Sequence, residues 1–221
     1  MDREKLFEAF LSECKRRGEI CGQGNPLAKI LIIAKEPHGL EEDSKKIIED
    51  NWKSCRVNNP ERKKDLVTWG YYQDLIEKIY KEEYETNTHD KNVFDFEEFA
   101  YTTELSSVPR LRSNYSKAKP AIYDRLKFFS ESGFIKDFPV IILACGGYIR
   151  NNDKIRQIDN TFDVYFEERK DVSKNNWFCL HYNKENRKKQ FVIHTRQLSR
   201  DVDPLLLCRI ADVVRDYINI K

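Results

Sequence analysis

The stretch "PVIILACGG", residues 139–147, decides the fold. After Pro139 come Val140, Ile141, Ile142 and Leu143 without a polar interruption, then Ala144, Cys145 and a glycine pair. A strand with one wet face alternates apolar and polar residues. An unbroken, largely β-branched run is what a parallel strand covered by helices on both faces reads like. The two glycines mark its end and allow a tight turn there.

Working outward, "ILIIAKEPHG" (residues 30–39) repeats the pattern: Ile30, Leu31, Ile32 and Ile33, then Lys35, Glu36, Pro37, His38 and Gly39. Strand exits ordinarily use Gly, Asn, Asp and Ser to turn, so ionisable groups here ask for another reason. "FAYTTELSSVPR" (99–110) is a further strand with a polar exit, and "QFVIHTRQLS" (190–199) another. "FDVYF" (162–166) and "WFCLHY" (177–182) are shorter strand candidates, and "NKENRKK" (183–189) is a charged hairpin turn before the last strand. Helical spacing covers 2–17, where Leu6, Phe7, Phe10 and Leu11 share a face, and also 40–51, most of 65–84, and 120–132. A closing helix starts at Asp203-Pro204, a cap followed by proline at the first helical position. "NNPERKK" (58–64), with Pro60 early in a helix start, and "ETNTHDKN" (85–92) read as polar connections.

Strands alternating with helices predict an α/β chain: one domain, 1–221, built as a three-layer α/β/α sandwich around a central, mostly parallel four-stranded sheet. Ligands of such sheets sit beyond the carboxyl ends of the strands, where strand order reverses. The exits "AKEPHG", "TTELSS" and "HTRQLS" are therefore expected on one edge.

The totals narrow the classes. Of the 221 residues, 40% are hydrophobic and 34% charged, which suits a globular protein with a heavily charged surface. The formal net charge of +2 means that any nucleic-acid affinity must come from local basic clusters. No apolar run is long enough for a membrane span, and "MDREKLFEAFLSECKRR" reads as a charged helix, not a signal peptide. Cys14, Cys21, Cys55, Cys145, Cys179 and Cys208 form no C-x-x-C pair, so reduced thiols in a cytoplasmic protein and no metal site are expected; a monomer without a cofactor is expected as well.

At its three polar exits the chain resembles the uracil-DNA glycosylase superfamily. Members carry a strand ending in a motif such as G-Q-D-P-Y-H or G-E-A-P-G, a second strand ending near an Asn, and a late H-P-S-P-L-S segment. "AKEPHG" lies where the first motif falls, "YTTEL" where the Asn-bearing strand falls, and "HTRQLS" keeps His194, Leu198 and Ser199 in register. The resemblance spans residues 20–221. The departures are Ala34 and Lys35 for Gly and Gln or Glu, Glu104 nearest to the Asn with Thr103 beside it, and Thr195, Arg196 and Gln197 within the late motif.

The resemblance implies cleavage of an N-glycosidic bond of a deaminated or damaged base in DNA, uracil by default, with single or double strands as partner. Cleavage builds positive charge on the sugar and negative charge on the leaving base, so it wants a carboxylate on one side and a donor on the other. Glu36 is expected to assist water attack and His194 to stabilise the departing base. Pro37, His38, Gly39, Thr103 and Glu104 are expected around the base. Leu198, between Arg196 and Arg200, has the layout of a wedge between two phosphate-binding cations, with Ser199 beside it. Arg110, Arg112, Lys117 and Lys119 offer further strand contacts, and Trp69, Tyr71 and Tyr72 are candidates to stack on the base.

Each residue also has a plain alternative. Glu36 caps a helix, His194 is a satisfied strand histidine, Leu198 folds back onto the core, the basic stretch is a solvated face, and the aromatics are packing. Two other functions stay open. Glu36 and Glu104, if they face one another, repel unless one is protonated or a cation joins them, and a divalent cation would suit nucleotide or phosphodiester hydrolysis. A non-catalytic nucleic-acid binder would keep the pocket without the chemistry.

Overall fold

The computed structural model describes residues 2–56, 67–80, 96–110 and 114–219. Pro60, the connections at 58–64 and 85–92, and Arg112 lie outside them. In chain order the elements are α1 (Arg3–Arg17), β1 (Gln23–Gly24), β2 (Ile30–Ala34), α2 (Ser44–Ser54), α3 (Val67–Ile79), α4 (Phe96–Phe99), β3 (Ala100–Glu104), α5 (Tyr115–Glu131), α6 (Gly133–Lys136), β4 (Val140–Leu143), α7 (Gln157–Phe162), β5 (Val164–Ser173), β6 (Asn176–Asn183), β7 (Phe191–Thr195) and α8 (Pro204–Asn219).

The strands form one sheet in the order β1-β3-β2-β4-β7-β6-β5. Its centre, β3-β2-β4-β7, is parallel throughout. The expected four-stranded sheet is thus the core of a larger mixed one: β1 adds antiparallel at one edge, and the β5–β6 hairpin adds antiparallel at the other. The chain leaves β2 for β3 on one side and then crosses to β4 on the other, so the order reverses at the carboxyl ends of β2 and β4. That is where an open α/β sheet leaves a crevice.

Side chains alternate across each strand and sort into two apolar layers. Leu31, Ile33, Ile141, Leu143 and Val192 pack with Phe7 and Phe10 of α1 and with Ile122 and Phe129 of α5. Ile30, Ile32, Val140, Ile142 and Ile193 pack with Leu75 and Ile76 of α3 and with Leu206, Ile210 and Val214 of α8. Both faces are covered, which is why the central runs lack polar alternation. The closing helix begins as read: Asp203 Oδ1 accepts from the Leu205 amide at 2.9 Å, and Pro204 is the first helical residue. All six cysteines are free. Among the described residues no helix is long and apolar enough to cross a membrane.

Candidate active site

The polar exits gather on one edge of the sheet. Beyond β2, the carbonyls of Ala34, Lys35 and Pro37 accept from the amides of Leu105, Ser106 and Arg110 at 2.9, 2.8 and 2.9 Å, so the β2 and β3 exits run side by side past the last rung. Gly39 takes φ 156°, and a Cβ there would stand 2.6 Å from Ile47 of α2. That positive φ, with the tip of Ile47 crowding the same space, favours glycine here.

Glu104 ends β3 and pairs in register with Ala34. Its side chain therefore leaves on the Ala34 face, towards the α3 layer. Its Oε2 is buried with no hydrogen-bond partner among the described residues. Burial first, and then the Glu36 charge, push the Glu104 carboxyl up to about 8, against a smaller opposing pull from Arg125. The Glu36 charge thus reaches the Glu104 carboxyl. The proton held by Glu104 relieves the repulsion for which a bridging cation is one alternative. No group of three or more His, Cys, Asp or Glu side chains able to hold a metal gathers among the described residues.

On the other flank of β2 lies a cleft of about 530 Å³ lined by Lys35, Gly146, Gly147, Arg169, Asn175, Trp177, Arg196, Gln197 and Ser199. Three of these residues are cations and none is a carboxylate. Arg196 spends its donors on neutral acceptors: Asp201 O at 3.0 Å, Arg200 O at 2.6 Å, and Asn175 O and Asn176 Oδ1 at 3.3 Å. Its charge has no carboxylate partner among the described residues. Arg169 lies 4.9 Å over the Trp177 ring and pairs with Asp171 at 2.7 Å. Lys35 sits 4.8 Å over the Tyr148 ring, and burial lowers its pKa despite the Glu36 charge. Such a cleft attracts an anion and offers an indole edge to a flat ring.

His194 stands behind this cleft rather than in it. It pairs in register with Leu143, and its face is that of Leu143, opposite to Glu104. Its Nε2 lies 2.9 Å from the Gly146 carbonyl oxygen, and its ring meets Trp177 edge-on at 5.0 Å. Burial pushes the imidazole down to about 4, so the ring is neutral at ordinary pH. A neutral imidazole with its N–H on a carbonyl has only an acceptor left. The expected donor to a leaving base is therefore already engaged. Glu104 and His194 share an edge but leave their strands on opposite faces.

Other expectations change with burial. Leu198 is 0% exposed and belongs to the α3–α8 core, so it is no wedge; flanking arginines gave it a surface look, but its side chain points inward. Thr103 is buried too, its hydroxyl donating to Cys21 O at 3.0 Å and accepting from Arg125 at 3.2 Å, beneath the site rather than in it. Tyr72 is core, and Trp69 and Tyr71 pack against that core. Arg110 braces loops through Glu41 (3.4 Å) and the Lys117 carbonyl (3.2 Å). Pro37 is half-buried, and His38, Lys117, Lys119 and Arg200 are exposed. Arg196 and Ser199 do line the cleft.

Lys35, Arg169, Asn175, Trp177 and the glycine pair went unassigned in the sequence. Lys35 and the glycines were visible as strand exits. Arg169 and Trp177 sit on strands that reach the edge only because the hairpin pairs with β7. No family model matches the chain, and no curated protein matches it either.

Proposed function

We propose that the chain is a divergent hydrolase of the uracil-DNA glycosylase kind, which holds a nucleic-acid strand and cleaves the N-glycosidic bond of a deaminated or damaged base. One observation carries this reading: along a single sheet edge the carboxylate pair Glu36 and Glu104 adjoins, through Lys35, a cleft lined by Arg169, Arg196 and Trp177. Phosphates suit the cationic cleft, and the sugar and base lie next to the carboxylates. Water adds to the anomeric carbon as its proton passes to Glu36. The C–N bond breaks with its electron pair on the base, which then takes up that proton. Lys35, bordering both groups, meets the charge on the departing base. His194 acts as a positioning residue that fixes the β4 exit.

The test is incubation with labelled oligonucleotides carrying uracil, hypoxanthine, xanthine or an alkylated base, with and without chelator. The reading expects alkali-revealed nicks that survive chelator and vanish in Glu36→Gln. Binding without abasic product from any base would make the chain a non-catalytic binder, and chelator-sensitive cleavage would make it a metal-dependent hydrolase.

A further inference from the structure

Trp177 enters the cleft from β6, and Arg169 on the neighbouring β5 lies over it, its guanidinium 4.9 Å from the centre of the indole ring. Asp171, the register partner of Trp177, fixes that pose: Arg169 Nε and Nη2 both donate to its Oδ1, at 3.0 and 2.7 Å. His194 backs the pair, its ring edge-on to the indole at 5.0 Å and its Nε2 2.9 Å from the Gly146 carbonyl oxygen. The hairpin tip is held too, since Arg196 donates to Asn175 O and Asn176 Oδ1, both at 3.3 Å. A flat cation on a flat ring is thus locked before any ligand arrives, which spares the ordering cost of binding. Half of the Arg169 side chain is still open to solvent.

This platform stands on the antiparallel hairpin, outside the four parallel strands. Aromatic and guanidinium faces take nucleobases by stacking, and only an unpaired base has a face free to stack. A duplex keeps its ring faces on one another and brings phosphates alone to such a cleft. Leu198, whose neighbours gave it the look of a wedge that holds a duplex open, is 0% exposed and spent on the core. The cleft volume, about 530 Å³, falls within the range of sites that enclose one small ligand, ~300–1,000 Å³, so it has room for a nucleotide unit. Lys35 and Arg196 line the same space and suit the phosphates on either side of that unit. We infer that the β5–β6 hairpin makes the chain a binder of single strands, in which an unpaired base flanking the reacting one stacks on the Arg169–Trp177 platform. The strand itself is taken from the function proposed above; its unpaired form is what the hairpin adds.

Fluorescence anisotropy of the full chain with three labelled probes tests it: an oligothymidylate strand, the same strand paired with oligoadenylate, and a strand of equal length built from abasic units. Wild type is expected to bind oligothymidylate at least about tenfold tighter than the duplex or the abasic strand, the weight of one stacked base. Trp177→Ala is expected to lose about tenfold for oligothymidylate and to keep wild-type affinity for the abasic strand, which also reports that the variant is folded. Its salt slope is expected to stay as in wild type, since stacking releases no counterions. Trp177→Phe retains a flat ring and is expected to retain most of the preference. Should Trp177→Ala lose all three probes together, Trp177→Phe decides, keeping the preference if the ring stacks and losing it if the ring does not. Absent binding, equal affinity for the three probes, or a Trp177→Ala variant that still prefers the single strand would overturn the assignment. A single-strand preference that depends on Trp177, with no base release from any modified strand, overturns the glycosylase reading alone. Base release that is equal on paired and unpaired strands and indifferent to Trp177 overturns the hairpin's role alone.

Discussion

His194 Nε2 lies 2.9 Å from the carbonyl oxygen of Gly146, tying the end of β7 to the exit of β4. Gly146 takes φ 53°, and the turn this permits aims its carbonyl at the ring. The bond makes His194 a strut of the cleft wall, and its protonation has a defined cost. The folded pKa, about 4, lies below the ordinary 6.5, so between these values the unfolded chain binds more protons. Stability from this group is full above pH 6.5 and is lost as pH falls towards 4. Urea unfolding of wild type against His194→Gln is expected to show an acid-side loss of up to about 3 kcal/mol that the variant lacks. Parallel pH profiles would refute the buried neutral ring.

Glu104 works in the opposite direction. Its folded pKa, about 8, lies above the ordinary 4.5, so the folded state keeps a proton that the unfolded chain releases. Stability from this residue is present below pH 4.5, declines as pH rises, and levels off above about 8. Glu104→Gln is expected to be more stable than wild type at pH 8 by on the order of 3–5 kcal/mol, converging with it in acid. Equal midpoints at pH 8 in urea would show that the carboxyl ionises freely.

The central strands were legible because burial on both faces leaves no polar alternation, as in Ile30 to Ile33 and Val140 to Leu143. The hairpin was only half legible. β5 reads "VYFEERKDVS", an edge strand with a wet face, and its charges hide a strand that extends well past the apolar "FDVYF". At the candidate site, residue types at strand exits pointed to Glu36, Glu104, Arg196 and Ser199. Of these the structure puts Glu104 at the sheet edge and Arg196 and Ser199 along the cleft, but exits do not report direction. Leu198 turned inward, and His194 left its strand on the face opposite Glu104. Arg169 and Trp177 needed a long-range pairing that no local pattern encodes.

The cationic cleft sets a salt signature. Lys35→Gln and Arg169→Gln are each expected to weaken oligonucleotide binding for every base sequence alike, and to lower the slope of log affinity against log salt by about 1. Arg196→Gln is expected to do the same and also to loosen the 196–201 turn, whose Asp201 and Arg200 carbonyls it holds. Filter binding across a salt series reads all three. Unchanged slopes would remove the cleft from strand binding.

Arg125 lies under the whole arrangement. Its side chain is 0% exposed, and it pairs with Glu19 at 2.7 Å while donating to Ile20 O at 2.7 Å, to Thr103 Oγ1 and to the Glu104 carbonyl. It thereby ties α5 both to the segment entering β1 and to the end of β3. Removing it strips the buried Ile20 and Glu104 carbonyls and Thr103 of their guanidinium donor, and leaves Glu19 with Arg17 alone among the described residues, 3.0 Å away. Arg125→Met is therefore expected to cost about 3–5 kcal/mol in urea unfolding. The double variant Arg125→Met/Glu19→Gln is expected to recover only a small part of that, since Arg17 still holds Glu19 in the single variant and the donors lost at Ile20, Thr103 and Glu104 are not restored. Because the Arg125 charge pulls against the upward push on Glu104, both variants are also expected to move the alkaline stability break to higher pH. A single variant no less stable than wild type, or a break that stays in place, would show that the guanidinium braces neither Glu19 nor the strand that carries Glu104.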